Sequence, residues 1–397
     1  MAEKKLNILM MIHRQADNSP YCFYVHEQAK ALKARGHNVT VISAVGVTPM
    51  MESLRPGQAA VAKRTPEYAC VDGIDVYYPR YLTLGNTGEK ILGGRLLYLS
   101  ALPVAKRLHK ERPFDILHVH MLPRDGHAGW LTARALGIPC ALTVHGTDVF
   151  HYFFPGKAPW KRNRQIANGV DALMAVSSLL MSRVRPYRDE QKISRVVPNG
   201  VDLSLVPEKT DNTPRAVISV GTLKARKCMD RTLEAFAHLA GDFPDATLTI
   251  VGIGEMEEQL RQRIAQLGLG GRVRMTGGLP HEQVIGLMAG SDLFVLPSWG
   301  EGYGIVYIEA MAAGCIAVGA EKEGIEDTIT HGENGFLVPA GDVDAVERVM
   351  RDVFEKGERY AVLRERGRVD ARALTWERNA KTVEGIYCEA IEGYAKR

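Results

Sequence analysis

Two glutamates, Glu301 and Glu309, stand eight residues apart in the run Pro297-Ser298-Trp299-Gly300-Glu301-Gly302-Tyr303-Gly304-Ile305-Val306-Tyr307-Ile308-Glu309-Ala310-Met311-Ala312-Ala313-Gly314. The run follows the apolar segment 293–296, which reads as a strand, and its glycine-rich turn feeds a helix from near Gly304 to just before Gly314. A helix start presents N–H groups that have no acceptor inside the helix, and the helix dipole adds to their pull on an anion. Carboxylates at such a point would repel a phosphate, so both glutamates are expected to accept hydrogen bonds from hydroxyls, as a sugar and a ribose offer in pairs. A surface helix with solvated glutamates fits the same residue types.

A second cluster lies in Val220-Gly221-Thr222-Leu223-Lys224-Ala225-Arg226-Lys227-Cys228-Met229-Asp230, where a strand ends at Gly221 and a helix begins near Asp230. Arg grips an oxyanion through paired N–H groups and Lys acts as a point charge, so Arg226 and Lys227 suit a diphosphate. Such cations would neutralise a departing diphosphate without a metal ion; a solvated basic loop is the alternative. A third segment, Thr143-Val144-His145-Gly146-Thr147-Asp148, places His145 at a strand end, where a structural cap is the competing role. His118 and His120 alternate along one strand, so one should face the core, and His120 at the strand end is the cleft candidate. No carboxylate or third ligand is spaced with them, which argues against a metal site. The six cysteines form no C-x-x-C pair and read as buried reduced thiols. Gly252-Ile253-Gly254 hints at a dinucleotide fingerprint, but Glu257 stands where the third glycine belongs.

The elements that must position these residues alternate short β-branched runs with helical patterns, the mark of parallel α/β sheets. The first half reads as strand Leu6–Ile12, helix Tyr21–Arg35 and strand Asn38–Ala44, with later strands near 74–78, 116–120, 140–145, 172–176 and 195–197. After the turn cluster Pro198-Asn199-Gly200-Val201-Asp202 the pattern restarts, with strands near 216–220, 247–251, 273–276, 293–296, 315–318 and 335–338. We expect an α/β protein of two doubly wound Rossmann-like domains, 1–203 and 204–375. Ligands in such sheets sit beyond the carboxyl ends of the strands, so the cleft between two such domains is the expected site. The last segment, 376–397, carries Trp376, Ala380, Val383, Tyr387, Ile391 and Tyr394 near one helical face, and is expected to pack back on the first domain.

The run from Pro297 to Gly314 resembles the E-x(7)-E motif of the family-4 retaining glycosyltransferases, including its proline-serine entry and E-A-M-A-x-G exit. The resemblance extends from about Leu6 to the C-terminus and is densest over 195–341. It implies the GT-B fold, a nucleoside-diphosphate sugar as donor substrate, and no cofactor or metal. It further implies that Glu301 contacts the donor sugar and Glu309 the ribose, that the amides around Tyr303, Gly304 and Ile305 meet the donor, and that His145 lies near the reacting sugar carbon. The family's G-R-L-x(3)-K-G loop corresponds to Gly221–Cys228, with Lys227 matching the lysine, Thr222 replacing the arginine and Cys228 the glycine; Arg226 is the candidate replacement cation. Gly277, Gly278 and Leu279 fall where the family's loop meets the base, and Asn199 matches its P-N-G-V-D segment, which we place with His120 on the acceptor side. The paired glycines that many members carry in the first loop are replaced here by Asn18-Ser19-Pro20-Tyr21-Cys22. That variant resembles a subgroup acting in bacterial envelope polysaccharide assembly.

Composition is that of a folded globular protein, with 46% hydrophobic and 24% charged residues among 397. The net charge of +4 is uneven: residues 1–203 hold 27 Lys+Arg against 16 Asp+Glu, and residues 204–397 hold 23 against 30. A basic first half suggests an anionic partner, such as a lipid-linked phosphate or an anionic membrane. Two basic-aromatic stretches, Arg95–Arg112 and Phe150–Arg164 (with Phe153, Phe154 and Trp160), are candidate lipid contacts. Neither fits a nucleic-acid reading module. The apolar run 6–12 lacks signal-peptide flanks, so a cytoplasmic protein, peripheral at the inner face of the membrane, is expected. A nucleotide-sugar epimerase, a dinucleotide oxidoreductase and a non-catalytic sugar-nucleotide sensor are the competing readings.

Overall fold

The computed structural model describes residues 5–13, 22–48, 56–83, 85–153, 155, 159–208 and 215–396. Residues 18–21 of the segment that replaces the family's paired glycines, and Phe154, lie outside them. The chain divides into two compact units, Met1–Pro198 with Trp376–Arg397, and Asn199–Thr375. The division falls at 198/199 rather than at the expected 203/204. The reason is local: Val201 forms a parallel bridge with Thr375, and its N–H donates to Leu374 O at 2.8 Å, so this strand-like segment belongs to the second unit.

The first unit is built on strands β1 (Asn7–His13), β2 (Asn38–Val47), β3 (Tyr68–Val71), β4 (Ile74–Tyr77), β5 (Arg80–Leu82), β6 (Ile116–His120), β7 (Cys140–Val144), β8 (Ala172–Ala175) and β9 (Ile193–Val196). Their order is β3-β4-β2-β1-β6-β7-β8-β9, with β5 beside the end of β2. All pairings are parallel except the β3–β4 hairpin, whose turn residues Asp72 and Gly73 take φ of 50° and 70°. Helices cover a parallel sheet on both faces, which explains why β6, β7 and β8 are buried along their whole length, even at His118, His120 and Thr143. Helix Phe23–Ala34 begins two residues later than expected.

Helix Trp376–Ala395 joins this first unit. Ala380, Val383, Ile386, Tyr387 and Ala390 sit in one core with Val25, Ala29 and Leu32 of helix Phe23–Ala34 and with the buried residues of β1 and β2. Polar contacts fix its register: Gln28 Nε2 donates to Asn379 Oδ1 at 2.8 Å, and Arg35 Nε pairs with Glu384 Oε2 at 2.6 Å.

The second unit holds strands β10 (Ala216–Val220), β11 (Thr247–Val251), β12 (Val273–Gly277), β13 (Leu293–Val295), β14 (Ile316–Ala320) and β15 (Phe336–Val338) in the order β12-β11-β10-β13-β14-β15, all parallel. Both units are therefore doubly wound α/β sheets, as expected. In each, the strand order reverses at one place: between β1 and β6 in the first unit, and between β10 and β13 in the second. The crevice beyond the strand ends at such a reversal is where ligands bind.

Tyr387 OH is hydrogen-bonded to His118 Nδ1 at 2.6 Å, both groups being fully buried. Tyr387→Phe strands that ring nitrogen and is expected to cost about 1–3 kcal/mol of unfolding free energy. Urea unfolding checks it; an unchanged midpoint would show that the helix is held by its apolar face alone.

Candidate functional site

The loops after β10 and β13 meet because the two strands are neighbours, with Val217 opposite Leu293 and Ile218 opposite Phe294. Trp299 N–H donates to Arg226 O at 2.9 Å, joining the loops backbone to backbone. At this junction Lys227 Nζ donates to Glu301 Oε2, and Arg226 Nη1 lies 3.9 Å from the same oxygen and 3.5 Å from Gly300 O. Lys227 is buried. Burying an ammonium group is costly unless it is paired, and Glu301 supplies the partner. Thus Glu301, Lys227 and Arg226 are brought together, while Thr222 is exposed at the head of the loop. Cys228, which replaces the family's glycine, takes φ 52°, a left-handed conformation that costs a side-chain-bearing residue about 1–2 kcal/mol.

Gly304 opens helix Ile305–Ala312 at φ 80°, and a Cβ there would fall 2.5 Å from the Tyr307 ring. Only glycine fits there, and the Ile305 amide at the helix start has no acceptor within the helix. The Tyr307 hydroxyl donates to Leu296 O and contacts Ser298 Oγ at 3.0 Å, tying the helix to the end of β13. Glu309 lies deeper on this helix, and His281 Nε2 donates to its Oε1 at 2.8 Å. Tyr303 turns its ring inward, with its hydroxyl 3.4 Å from Thr328 Oγ1, which leaves its backbone as the part available to a ligand.

Gly252 and Gly254 have a structural explanation. A Cβ on Gly252 would stand 1.9 Å from Gly221 O, and one on Gly254 would stand 2.4 Å from Leu223 O. These glycines let the β11 loop seat against the β10 loop, with Leu223 N–H donating to Ile253 O at 2.9 Å. The dinucleotide hint is thereby replaced by a packing role. Beside them, Ile253 is 62% exposed and lies against Gly278. Leu279 borders a pocket of about 530 Å³ between β12 and helix His281–Ala289.

In the first unit, His120 Nδ1 and His145 Nε2 share a hydrogen bond of 3.1 Å. His145 stacks on Tyr24 at 4.1 Å between ring centroids. Among the described residues, His145 Nδ1 and His120 Nε2 are buried without a partner. Asp148 shapes the turn: its carboxylate accepts from the N–H groups of Leu122 at 3.1 Å, His145 at 3.1 Å and Gly146 at 2.7 Å. Only His118 was assigned to the core, yet both strand histidines are buried, their rings 4.1 Å apart. Burial holds His118 and His145 well below the usual imidazole range and brings His120 down to about 3. Asn199 is buried at the first position of the second unit.

Two partners escaped the sequence reading. Glu323 accepts from Gly300 N–H at 2.8 Å and Glu301 N–H at 2.7 Å, clamping the loop that carries Glu301. His281 orients Glu309. Each lies far from its partner in sequence, and only the sheet order brings them together. One surface expectation is corrected: Phe153 is buried and Trp160 packs edge-on against it and against Tyr187, at 4.9 and 4.7 Å, so these aromatics serve the interior rather than a lipid contact.

Residues 204–370 match the family model described as "Glycosyl transferases group 1", and residues 23–205 match "Glycosyltransferase Family 4". The chain is 25% identical over 392 residues to a glycogen synthase of Mycobacterium tuberculosis, covering 93% of this chain and 91% of the relative. It is 30% identical over 258 residues to a GDP-mannose-dependent alpha-(1-6)-phosphatidylinositol monomannoside mannosyltransferase of Mycolicibacterium smegmatis, covering 60% of this chain and 67% of the relative. In three dimensions it is similar to Anabaena Alr3699/HepE, solved with UDP and glucose, with a TM-score of 0.70, 18% identity, and coverage of 98% of this chain and 99% of that one.

The three neutral histidines make stability depend on pH with a definite sign. Each takes up a proton in the unfolded chain near its ordinary pKa of about 6.5 but not in the fold, so their contribution is full above that pH and is lost as the pH falls. Each is expected to remove about 1.4 kcal/mol per pH unit below about pH 6, and His120→Gln to reduce the slope by one proton. Urea titrations across that range measure the slope; one left unchanged by the substitution would mean that His120 titrates normally in the fold.

Proposed function

We propose a donor, a stereochemical course and an acceptor class for a chain that belongs to glycosyltransferase family 4. The protein is a glycosyltransferase. In our reading it takes a sugar from a nucleoside-diphosphate donor, with uridine as the base, and passes it to an acceptor with retention at the anomeric carbon. The meeting of Lys227, Arg226 and Glu301 beside the Gly304 helix start carries this reading. It offers cations for a diphosphate, N–H groups for the same charge, and a carboxylate for sugar hydroxyls.

The donor diphosphate takes over Lys227 and Arg226, Arg226 standing in for the family arginine absent at Thr222. Glu301, released from Lys227, then accepts from the sugar hydroxyls, and Glu309 from the ribose. Gly221, Gly278 and Leu279 line the nucleotide, with the exposed Ile253 as an apolar support for the base. As the bond from the anomeric carbon to the phosphate oxygen breaks, charge grows on that phosphate, where Lys227, Arg226 and the amides near Gly304 and Ile305 are preorganised to meet it. The acceptor hydroxyl bonds to the same face of the carbon and gives its proton to a departing phosphate oxygen. These cations do the work a metal would do, so turnover is expected to survive a chelator. His145 acts near the reacting sugar carbon, its unpartnered Nδ1 being suited to a hydroxyl, and His120 and Asn199 serve the acceptor side.

A uridine donor agrees with the UDP held by the HepE structure. For the acceptor we favour a lipid-linked or envelope polysaccharide intermediate; the mannosyltransferase relative is named for a phosphatidylinositol acceptor. Helix Gly85–Glu111 exposes Leu92 and Leu99 alongside Arg95, Lys106 and Lys110, a mixture suited to resting on the anionic inner face of a membrane. Among the described residues no helix is long and apolar enough to cross one.

Lys227→Ala is expected to weaken UDP binding about 10- to 100-fold, the loss of a charge-assisted contact, and to abolish transfer. Glu301→Gln is expected to keep UDP binding and lose transfer. Calorimetry with UDP and GDP, and NMR of the product's anomeric configuration with and without chelator, check these outcomes. Unweakened UDP binding by Lys227→Ala, or an inverted product, would refute the assignment.

A further inference from the structure

Among the described residues, β3 forms one edge of the first unit's sheet. It pairs antiparallel with β4, which sets Tyr68 opposite Tyr77, their ring centroids 5.1 Å apart at a tilt of 47°. Side chains alternate along a strand, and Ile74 and Val76 of β4 enter the core. Tyr77 therefore faces the other side of the sheet, where Val104 and Arg107 of helix Gly85–Glu111 stand. A pocket of about 470 Å³ lies between hairpin and helix, and its wall also holds Glu67 and Arg80.

Both rings are held in place. The Tyr68 hydroxyl donates to Asp75 Oδ1 at 2.7 Å, and this bond raises its pKa to about 12, so the phenol keeps its proton. The Arg107 guanidinium lies over the Tyr77 ring, 5.5 Å from its centroid. Tyr68 is nevertheless 47% exposed. A ring that is already fixed and still open to solvent loses little freedom when a ligand lands on it. Glu67, Arg80 and Arg107 are exposed around the pair. Arg80 Nη2 donates to Thr65 O at 2.6 Å, and Arg107 Nη1 lies 3.9 Å from Glu111 Oε1. A guanidinium carries five N–H donors, so each arginine has others to offer a ligand.

A pyranose ring presents C–H groups on its faces and hydroxyls around its rim. Aromatic faces suit the first, and carboxylate and guanidinium groups suit the second. A lipid tail would have to displace water from three charged side chains, and a phosphate would face the carboxylates of Glu67 and Asp75. We propose that this pocket binds a neutral hexose chain, with Tyr68 as the platform and Glu67, Arg80 and Arg107 as partners of its hydroxyls. Strands β4, β2, β1, β6 and β7 are successive neighbours and run parallel, so their carboxyl ends share one rim of the sheet. His145 follows β7, four strand spacings from β4, or about 19 Å. A single sugar cannot span that distance, whereas a chain of several can. The platform thus holds a part of the acceptor remote from the hydroxyl that reacts. The proposal rests on the transferase reading above and narrows its acceptor to an oligosaccharide or polysaccharide chain.

The test titrates maltoheptaose and cellohexaose, glucose chains with apolar ring faces, into the intact protein without donor and reads binding by calorimetry. At least one of the two is expected to bind. Tyr68→Ala is expected to lower that affinity about 10-fold and Tyr68→Phe to keep it within about 3-fold. Arg107→Gln is expected to lower it about 3- to 10-fold. Arg107 is exposed on the helix rather than the hairpin, so this variant still reads the pocket if Tyr68→Ala disturbs the edge strand. UDP affinity, measured on the same samples, is expected to be unchanged in every variant. Absence of binding by both chains, or equal binding by wild type and all variants, overturns the proposal; if UDP still binds, the donor reading stands. Chains that bind to a protein that does not take UDP would strike the donor reading and support the platform. Sedimentation with phosphatidylglycerol vesicles tests the rival occupant: vesicle binding lost in Tyr68→Ala, with glucan binding unchanged, would assign the pocket to a membrane and overturn the proposal.

Discussion

The contact between Lys227 and Glu301 organises the second unit's loops. A buried ammonium group needs an anion, and the adjacency of β10 and β13 makes Glu301 that anion. The pair is then held from several sides: Glu323 clamps the Glu301 backbone, Trp299 ties its loop to Arg226, and Gly252 and Gly254 allow the next loop to close against Gly221. Removing either partner of such a pair costs several kcal/mol because the other charge is left buried. A ligand carrying both a diphosphate and hydroxyls can instead satisfy the two ends separately, replacing one contact by two. That exchange links the Lys227–Glu301 pairing to the proposed chemistry.

The first unit solves a different electrostatic problem. Its histidines are packed ring against ring at tilts of 37° and 30° and kept neutral by burial, so that they act through hydrogen bonds and shape rather than charge. Charged groups of both signs, Arg124 and Arg162 with Asp125 and Asp148, line a pocket beside β1 and β6. Asp148 joins the two regions, since the carboxylate that caps the His145 turn also forms part of the pocket wall. Helix Trp376–Ala395 braces this arrangement from behind through Tyr387 and His118.

What the sequence made legible was whatever is encoded locally. The strand-turn-helix around Glu301 and Glu309, the cationic loop after β10 and the amphipathic last helix each carry their signal within a score of residues. The Asp72-Gly73 turn also had a local signal, yet the β3–β4 hairpin passed unread because β3 is short and half exposed. Helix Gly85–Glu111 was obscured by Pro103 and by glycines in its first turns. Partnerships across the sheet were out of reach: Glu323 with the Glu301 backbone and His281 with Glu309 depend on strand order, which residue spacing does not state. The inward turn of Phe153 and Trp160 had the same cause, since a basic-aromatic run looks alike whether its rings face lipid or Tyr187.

The exchange of partners at Lys227 can be seen directly in a crystal of the protein soaked with UDP. The account predicts the Lys227 ammonium on a diphosphate oxygen, Arg226 beside it, the ribose hydroxyls on Glu309, and the Glu301 carboxylate freed toward the space a sugar would fill. UDP bound elsewhere, with Lys227 still paired to Glu301, would contradict it.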